Sequence, residues 1–332
     1  MIHFGEKSNS YGITAQQAIE ILEQKTRIEC EYVFPQSDSL KELALLTEDA
    51  DIIIGTSATL DEKVALALLN ATRLKLIQSV GAGVENFPLH AIRGKPVYLA
   101  NITGANAVAV AEHAFALMLG LAKQICKKDN ELKNGKWNRG TPLVQLEGKT
   151  LVIVGFGAIG QHFAKRAEAF DMTVVAVRRH PEKRADIPVE RVIGLDGLRG
   201  ALVEADFVVI AMPLTSETRD LMKAEELKSM KPSSYLVNVG RGPIVNEAAL
   251  YRALNEGWIA GAGIDTWYAY PPNPKTPSEY SIHKLRNVIA TPLIGSTTTE
   301  SIVRIFDLVA ANIDAVASGE RPRKIVDLEL GY

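Results

Sequence analysis

The sequence predicts an α/β protein of two blocks, the larger of them a doubly wound parallel sheet. Three observations point there. From residue 145 to 295, short apolar runs of strand length alternate with turn and helix signals. That is the pattern of parallel strands with helices on both faces. A shorter alternation of the same kind occupies residues 1–100, and a length of 332 residues suits two domains.

In the first block, Tyr32 to Phe34, Asp51 to Gly55, Leu76 to Val80 and Val97 to Leu99 read as short buried strands. Ala15 to Gln24 and Glu62 to Leu69 read as helices between them. Val80, Gly81, Ala82 and Gly83 follow a strand as a turn with backbone amides to offer. Thr103 to Ile125 reads as one alanine-rich helix, capped near Thr103 or Asn106. It is apolar on nearly all sides, so most of its faces must be covered, between domains or by a second subunit. Its apolar stretch, Ala107 to Ala122, is interrupted by Glu112 and His113 and is too short and too polar to span a bilayer.

The second block opens with Lys149-Thr150-Leu151-Val152-Ile153-Val154-Gly155-Phe156-Gly157-Ala158-Ile159-Gly160. An apolar strand runs into G-x-G-x-x-G, Gln161 to Phe170 reads as helix, and Met172 to Val177 reads as the next strand. In such a βαβ unit the first glycine permits the turn, the second admits a pyrophosphate to the backbone, and the third lets the helix close on the strand. The helix N-terminus then faces the phosphates. Gly155, Phe156, Gly157, Ala158, Ile159 and Gly160 are therefore candidate cofactor residues of a Rossmann-like domain. NAD sites place an Asp or Glu at the end of the second strand, to accept from the ribose 2′-hydroxyl. Here Arg178 and Arg179 stand there. Guanidinium forks suit a 2′-phosphate, which favours NADP, with NAD as the alternative.

Further strands read as Phe207 to Ala211, Tyr235 to Val239, Gly261 to Asp265 and Val288 to Ala290. Tyr270 to Pro277 is proline-rich and reads as a loop, because proline removes donors and fixes φ. Ser301 to Ser318 reads as a final helix returning toward the first block. In open α/β sheets the ligand sits beyond the carboxyl ends of the strands. Candidates at such ends are Met212 and Pro213 with Thr218, Val239, Gly240 and Arg241, Asp265, and the segment Thr291 to Gly295 with Leu293.

Composition narrows the function classes. A net charge of −2 and a pI of about 6.3 give no footprint for nucleic acid or an anionic membrane. The two cysteines, Cys30 and Cys126, make neither a disulfide framework nor a metal spacing. They read as buried or idle thiols of a reducing compartment, and the first residues lack the order of a signal peptide. A cytoplasmic protein with no metal site is expected.

Taken together, several motifs resemble the D-isomer-specific 2-hydroxyacid dehydrogenase family. They are Val80-Gly81-Ala82-Gly83-Val84, Asn106 to Glu112, Gly155 to Gly160, Met212-Pro213-Leu214-Thr215, Asn238-Val239-Gly240-Arg241-Gly242, Gly261-Ala262-Gly263-Ile264-Asp265 and Thr291-Pro292-Leu293-Ile294-Gly295-Ser296. The likeness covers nearly the whole chain. It implies two Rossmann-like domains with the active cleft between them. Residues 1–102 with 297–332 would form the substrate domain, and 103–296 the dinucleotide domain. It implies that Arg241 grips the carboxylate and carbonyl of a small substrate, that the 80–83 turn holds the carboxylate, and that the protein is a homodimer through the 103–125 region.

The chain departs from the family at its proton-transfer pair. Leu293 stands where the family has a His, and Tyr270 where it has the orienting Glu. Leucine transfers no proton, and tyrosine does not replace a carboxylate. Tyr268 and Tyr270 are the candidate stand-ins, and an arginine nearby would lower a phenol's pKa. The competing reading makes Trp267, Tyr268 and Tyr270 simply wall. His113 sits on the buried helix, and His90 and His283 read as structural or exposed. Three functions follow: an NADP-dependent oxidoreductase of 2-oxo or 2-hydroxy acids with a non-standard proton donor, a reductase of an imine or conjugated double bond, or a catalytically silent NADP-binding sensor.

Overall fold

The computed structural model describes residues 13–33, 40–56, 60, 71–140, 142–183, 187–270 and 275–332. The chain divides into two compact units, Met1–Asn106 with Thr297–Tyr332, and Ala107–Ser296.

The second unit holds a seven-stranded sheet. Its strands are β4 (Thr150–Val154), β5 (Thr173–Val177), β6 (Arg191–Ile193), β7 (Phe207–Ile210), β8 (Tyr235–Asn238), β9 (Gly261–Ile264) and β10 (Val288–Ala290). They lie in the order β10-β9-β8-β7-β4-β5-β6 and every pairing is parallel. A strand's side chains alternate between faces, and here both faces are apolar. Val152, Val154, Val208, Ile210 and Leu236 join one core, with α7 (Leu198–Glu204) and α9 (Glu247–Asn255). Leu151, Ile153, Phe207, Val209 and Val237 join the other, with α4 (Ala107–Ala122) and α6 (Ala158–Glu168). This is the predicted doubly wound sheet.

The first unit carries a smaller parallel sheet, β1 (Ile52–Gly55), β2 (Leu76–Ser79) and β3 (Tyr98–Ala100), in that order. Ile52, Ile54 and Leu76 face α1 (Ala15–Lys25) and α10 (Thr299–Ala317). Ile53, Ile77 and Leu99 face a second core with Phe87 and Ile92. Within this unit a buried network ties α10 to the sheet. Asn312 Nδ2 donates to Gln78 Oε1 (2.7 Å), and Arg323 N donates to Asn312 Oδ1 (2.7 Å).

Three local readings change. Tyr32 and Val33 form no strand; Phe34, with the Glu62–Leu69 helix, lies outside the described residues. The Thr103–Ile125 helix is shorter, because Gly104 (φ 94°) keeps the chain in turns until Ala107. At the other end Gln124 (φ 49°) breaks it, and α5 (Ile125–Lys133) leaves at 60°. Finally, α4 is covered within its own unit, by α6 and the strands β8, β9 and β10. Its apolar surface therefore gives no separate argument for a second subunit. No single helix among the described residues is long and apolar enough to cross a membrane. The proline-rich stretch is neither helix nor strand where it is described.

Candidate active site

The fingerprint turn shows three glycines with three jobs. Gly155 has φ 106°, and a Cβ there would sit 2.6 Å from the Ala211 carbonyl at the end of β7. A Cβ on Gly160 would sit 2.3 Å from Gly155 O, so α6 packs directly on the turn. In front of Gly157 nothing lies within 4 Å. That open space is what a pyrophosphate needs to approach the backbone. Gly157 is the N-cap of α6 and no side chain caps it, so the helix's orphan amides remain for an anion. Ala158 and Ile159 form the first turn, while Phe156 is buried in the core and offers only backbone.

The end of β5 adds a charge cradle. Arg178 Nε and Nη2 are buried with no hydrogen-bond partner. Buried polar groups are nearly always satisfied, so a guanidinium held this way points to a missing acceptor. Arg179 is differently placed: its Nη2 pairs with the carboxylate of Glu217. Glu217 sits in the turn after β7, which Thr218 organises. Thr218 Oγ1 donates to Pro213 O (2.8 Å) and accepts from Thr215 N (2.8 Å). Met212 is buried in the core, and a Cβ on Gly240 would meet its carbonyl oxygen at 2.8 Å. These residues fit an NAD(P) dinucleotide, with Arg178 as the group that would hold a 2′-phosphate.

Arg241 follows β8. Asn238, buried at the strand end, brackets it: Nδ2 donates to Arg241 O (3.0 Å) and Oδ1 accepts from Gly240 N (3.1 Å). Arg241 Nη1 donates to Gly240 O (2.8 Å). A Cβ on Gly242 would lie 2.4 Å from Trp267 C and O, so the turn closes on the loop after β9. The Val239 side chain is buried.

Asp265, just beyond β9, anchors the segment after β10. Its Oδ1 accepts from Thr291 Oγ1 (2.6 Å) and Ile294 N (3.0 Å), and its Oδ2 from Gly295 N (2.9 Å). Trp267 Nε1 donates to Thr291 O (2.9 Å) from the same loop. His113 of α4 completes the cluster, its Nε2 3.0 Å from Thr291 Oγ1 and 3.4 Å from Asp265 Oδ1. The Thr291 hydroxyl has one hydrogen. If that goes to Asp265 at the shorter contact, the Nε2–H of His113 donates to Thr291. Burial raises the Asp265 carboxyl, but hydrogen bonds from His113, Thr291, Gly295 and Ile294 outweigh it and hold the group below the usual carboxylate range.

This clamp forces Leu293 into the left-handed region, φ 57°. A leucine there costs about 1–2 kcal/mol and persists only where its surroundings dictate it. Its side chain is 43% exposed, and that of Tyr270 is 44% exposed. The Tyr270 hydroxyl accepts from Trp267 N at 3.4 Å. Tyr268 turns the other way, against the core. Burial, with the charges of Glu247 and Asp220, pushes its phenol far above the ordinary tyrosine value. The expected lowering by Arg241 does not occur at Tyr268: its charged neighbours are carboxylates.

In the first unit, two amides of the 80–83 turn are already used. Val80 N donates to Gly55 O (2.8 Å) and Gly81 N to Ser79 Oγ (3.1 Å). Ala82 and Gly83 are the residues of the turn whose amides remain to meet a carboxylate. His90 is exposed. His283 lies edge-on to Trp267, with Nδ1 buried and unpartnered. Both cysteines are free, and Cys126 is exposed rather than buried. Among the described residues no group of three or more His, Cys, Asp or Glu could hold a metal.

Residues 115–295 match the family model for the D-isomer specific 2-hydroxyacid dehydrogenase, NAD binding domain. The chain belongs to the D-isomer-specific 2-hydroxyacid dehydrogenase family. It is 34% identical over 329 residues to a glyoxylate reductase of Pyrococcus furiosus, covering 95% of this chain and 93% of that protein. It is 34% identical over 279 residues to a D-3-phosphoglycerate dehydrogenase of Archaeoglobus fulgidus, covering 83% and 51%. A solved structure of a family protein from Aeromonas salmonicida superposes with TM-score 0.80 at 26% identity, covering 98% of each chain.

As a member of this dehydrogenase family, the chain is an NAD(P)-dependent oxidoreductase acting on the CH–OH of hydroxy acids. The helix sequence alone does not show that His113 is a partner of the Asp265 clamp. The available signal was a histidine on an otherwise buried helix face, since such a ring needs a polar partner.

Proposed function

We propose that the protein is an NADP-dependent oxidoreductase of a small 2-oxo or 2-hydroxy acid, working with a non-standard proton donor. The unpartnered buried nitrogens of Arg178, at the end of the strand next to the one that Gly157 follows, carry the cofactor half of this reading. When bound, the cofactor supplies or takes a hydride at carbon 2 of the substrate. Arg241 then binds the substrate carboxylate and polarises its carbonyl oxygen, as a fixed guanidinium at a strand end can. Reduction of a ketone also needs a proton at oxygen. Tyr270 is the donor in this reading, because the residue is exposed and carries an O–H that can donate a proton. Tyr268 is set aside by its raised pKa and packed position.

The relative named glyoxylate reductase makes glyoxylate the first substrate to try. A panel of glyoxylate, hydroxypyruvate, pyruvate and aromatic 2-oxo acids tests the proposal through NADPH oxidation. Turnover of at least one is expected, and none above background would refute it. Leu293 favours a second reading. A protonated imine already carries its N–H, so hydride transfer to it needs no acid. Turnover that requires added ammonium or methylamine would favour that substrate class. A silent sensor would have no use for Arg241. Homodimerisation is also proposed. The exposed Ile125, Leu132 and Trp137 would lie in its interface, and light scattering should return twice the 36.1 kDa chain mass.

A further inference from the structure

We infer that Glu217 is a specificity-determining residue for the cofactor. From the turn after β7 it supplies the acidic group that the end of β5 lacks. The inference rests on the proposal that Arg178 and Arg179 face the adenosine ribose. The two arginines are neighbours in sequence but not in state. Arg178 keeps two buried nitrogens, Nε and Nη2, unpartnered, whereas Arg179 is paired with the Glu217 carboxylate. That pair places a carboxylate within one guanidinium of the residue after Arg178, all in the same unit.

Glu217 is held there by its turn. Thr218 Oγ1 bonds Pro213 O, Thr215 N bonds Thr218 Oγ1, and Thr218 N and Arg219 N both bond Thr215 O at 3.2 and 3.0 Å. A carboxylate at this place does two opposite things. It repels a 2′-phosphate and competes with it for Arg179. It can also accept from a 2′-hydroxyl, the role an acid at the second strand's end plays in NAD sites. Arg178 therefore pulls the preference toward NADP while Glu217 tempers it and keeps NAD admissible. Because 62% of the Glu217 side chain is exposed, its field is screened and its effect is modest.

The test is binding rather than turnover. NADPH and NADH are titrated by fluorescence into the whole protein and into Glu217→Gln, with 2′,5′-ADP and 5′-AMP as competing probes. NADPH and 2′,5′-ADP should bind about three- to tenfold tighter in the variant, and more so at low salt. NADH should bind about threefold weaker or more, because the charged acceptor becomes a neutral amide and its bond to the 2′-hydroxyl weakens. Shifts in the same direction for both cofactors, or no shift in either, would overturn the role of Glu217. Arg178→Ala separates the two proposals. Should it leave NADPH and NADH binding unchanged, the underlying NADP reading fails. If it selectively weakens NADPH while Glu217→Gln is flat, only the role of Glu217 fails.

Discussion

Arg178, Arg241 and Asp265 each sit one to three residues past a strand end, yet each meets a different chemical demand. Arg178 holds two buried guanidinium nitrogens without an acceptor, so Arg178→Ala should weaken NADPH binding by about 10- to 100-fold, the worth of charge-assisted bonds to one phosphate. NADH binding should barely change, and the fluorescence titration reads both. Tyr270→Phe should lower kcat for 2-oxo acid reduction by about 10²-fold or more at unchanged KM, the usual size of a lost general acid; an unchanged rate would remove Tyr270 from the chemistry. Asp265 has a folded-state pKa below its unfolded value. The stability it contributes is present above the unfolded pKa of about 4 and is lost as pH falls through the lower folded value. Asp265→Asn should therefore flatten the acid limb of thermal melts recorded against pH. The arginines were legible in the sequence because a strand end is a local feature. The Asp265 clamp was not, since His113 and Thr291 stand 178 positions apart. The same holds for Tyr268, whose phenol is raised first by burial and then by the charges of Glu247 and Asp220 from other elements.

At the scale of elements, the strand–turn–helix unit from Thr150 to Glu168 is where sequence and structure agree most closely. Gly155 and Gly160 there answer steric requirements that a side chain would violate, while Gly157 leaves open space. Gly160→Ala puts a methyl 2.3 Å from a backbone oxygen that cannot rotate away. The helix must then lift from the turn, at a cost of about 1–3 kcal/mol, which urea denaturation would read as a lower midpoint at constant slope. Helix ends were harder to read. The apolar stretch of α4 coincides with its helical span, and the chain leaves the helix on either side through the backbone conformations of Gly104 and Gln124. β6 was not anticipated because three residues carry too little periodicity. Its place is fixed instead by pairing, with Arg178 N donating to Ile193 O at 3.0 Å.

For the whole molecule, both parallel sheets were foreseeable from alternating apolar runs, because most of their strands are buried on both faces and read as apolar runs. What no single stretch reveals is how the family scaffold carries Leu293 and Tyr270 at the two positions where the resemblance implies a His and a Glu. Leu293 is exposed in a clamped turn and Tyr270 is exposed nearby in sequence to Trp267, so the change leaves the fold undisturbed. The central claim is that Arg241 directs hydride transfer to a 2-oxo acid. The most direct measurement is steady-state NADPH oxidation with glyoxylate and its homologues, comparing the unaltered protein with Arg241→Lys. Turnover is expected in the former, and in the variant a kcat/KM at least about 30-fold lower, as a point charge replaces a two-pronged grip. Turnover that ignores Arg241, or tight NADPH binding with no 2-oxo acid reduced, would contradict the account.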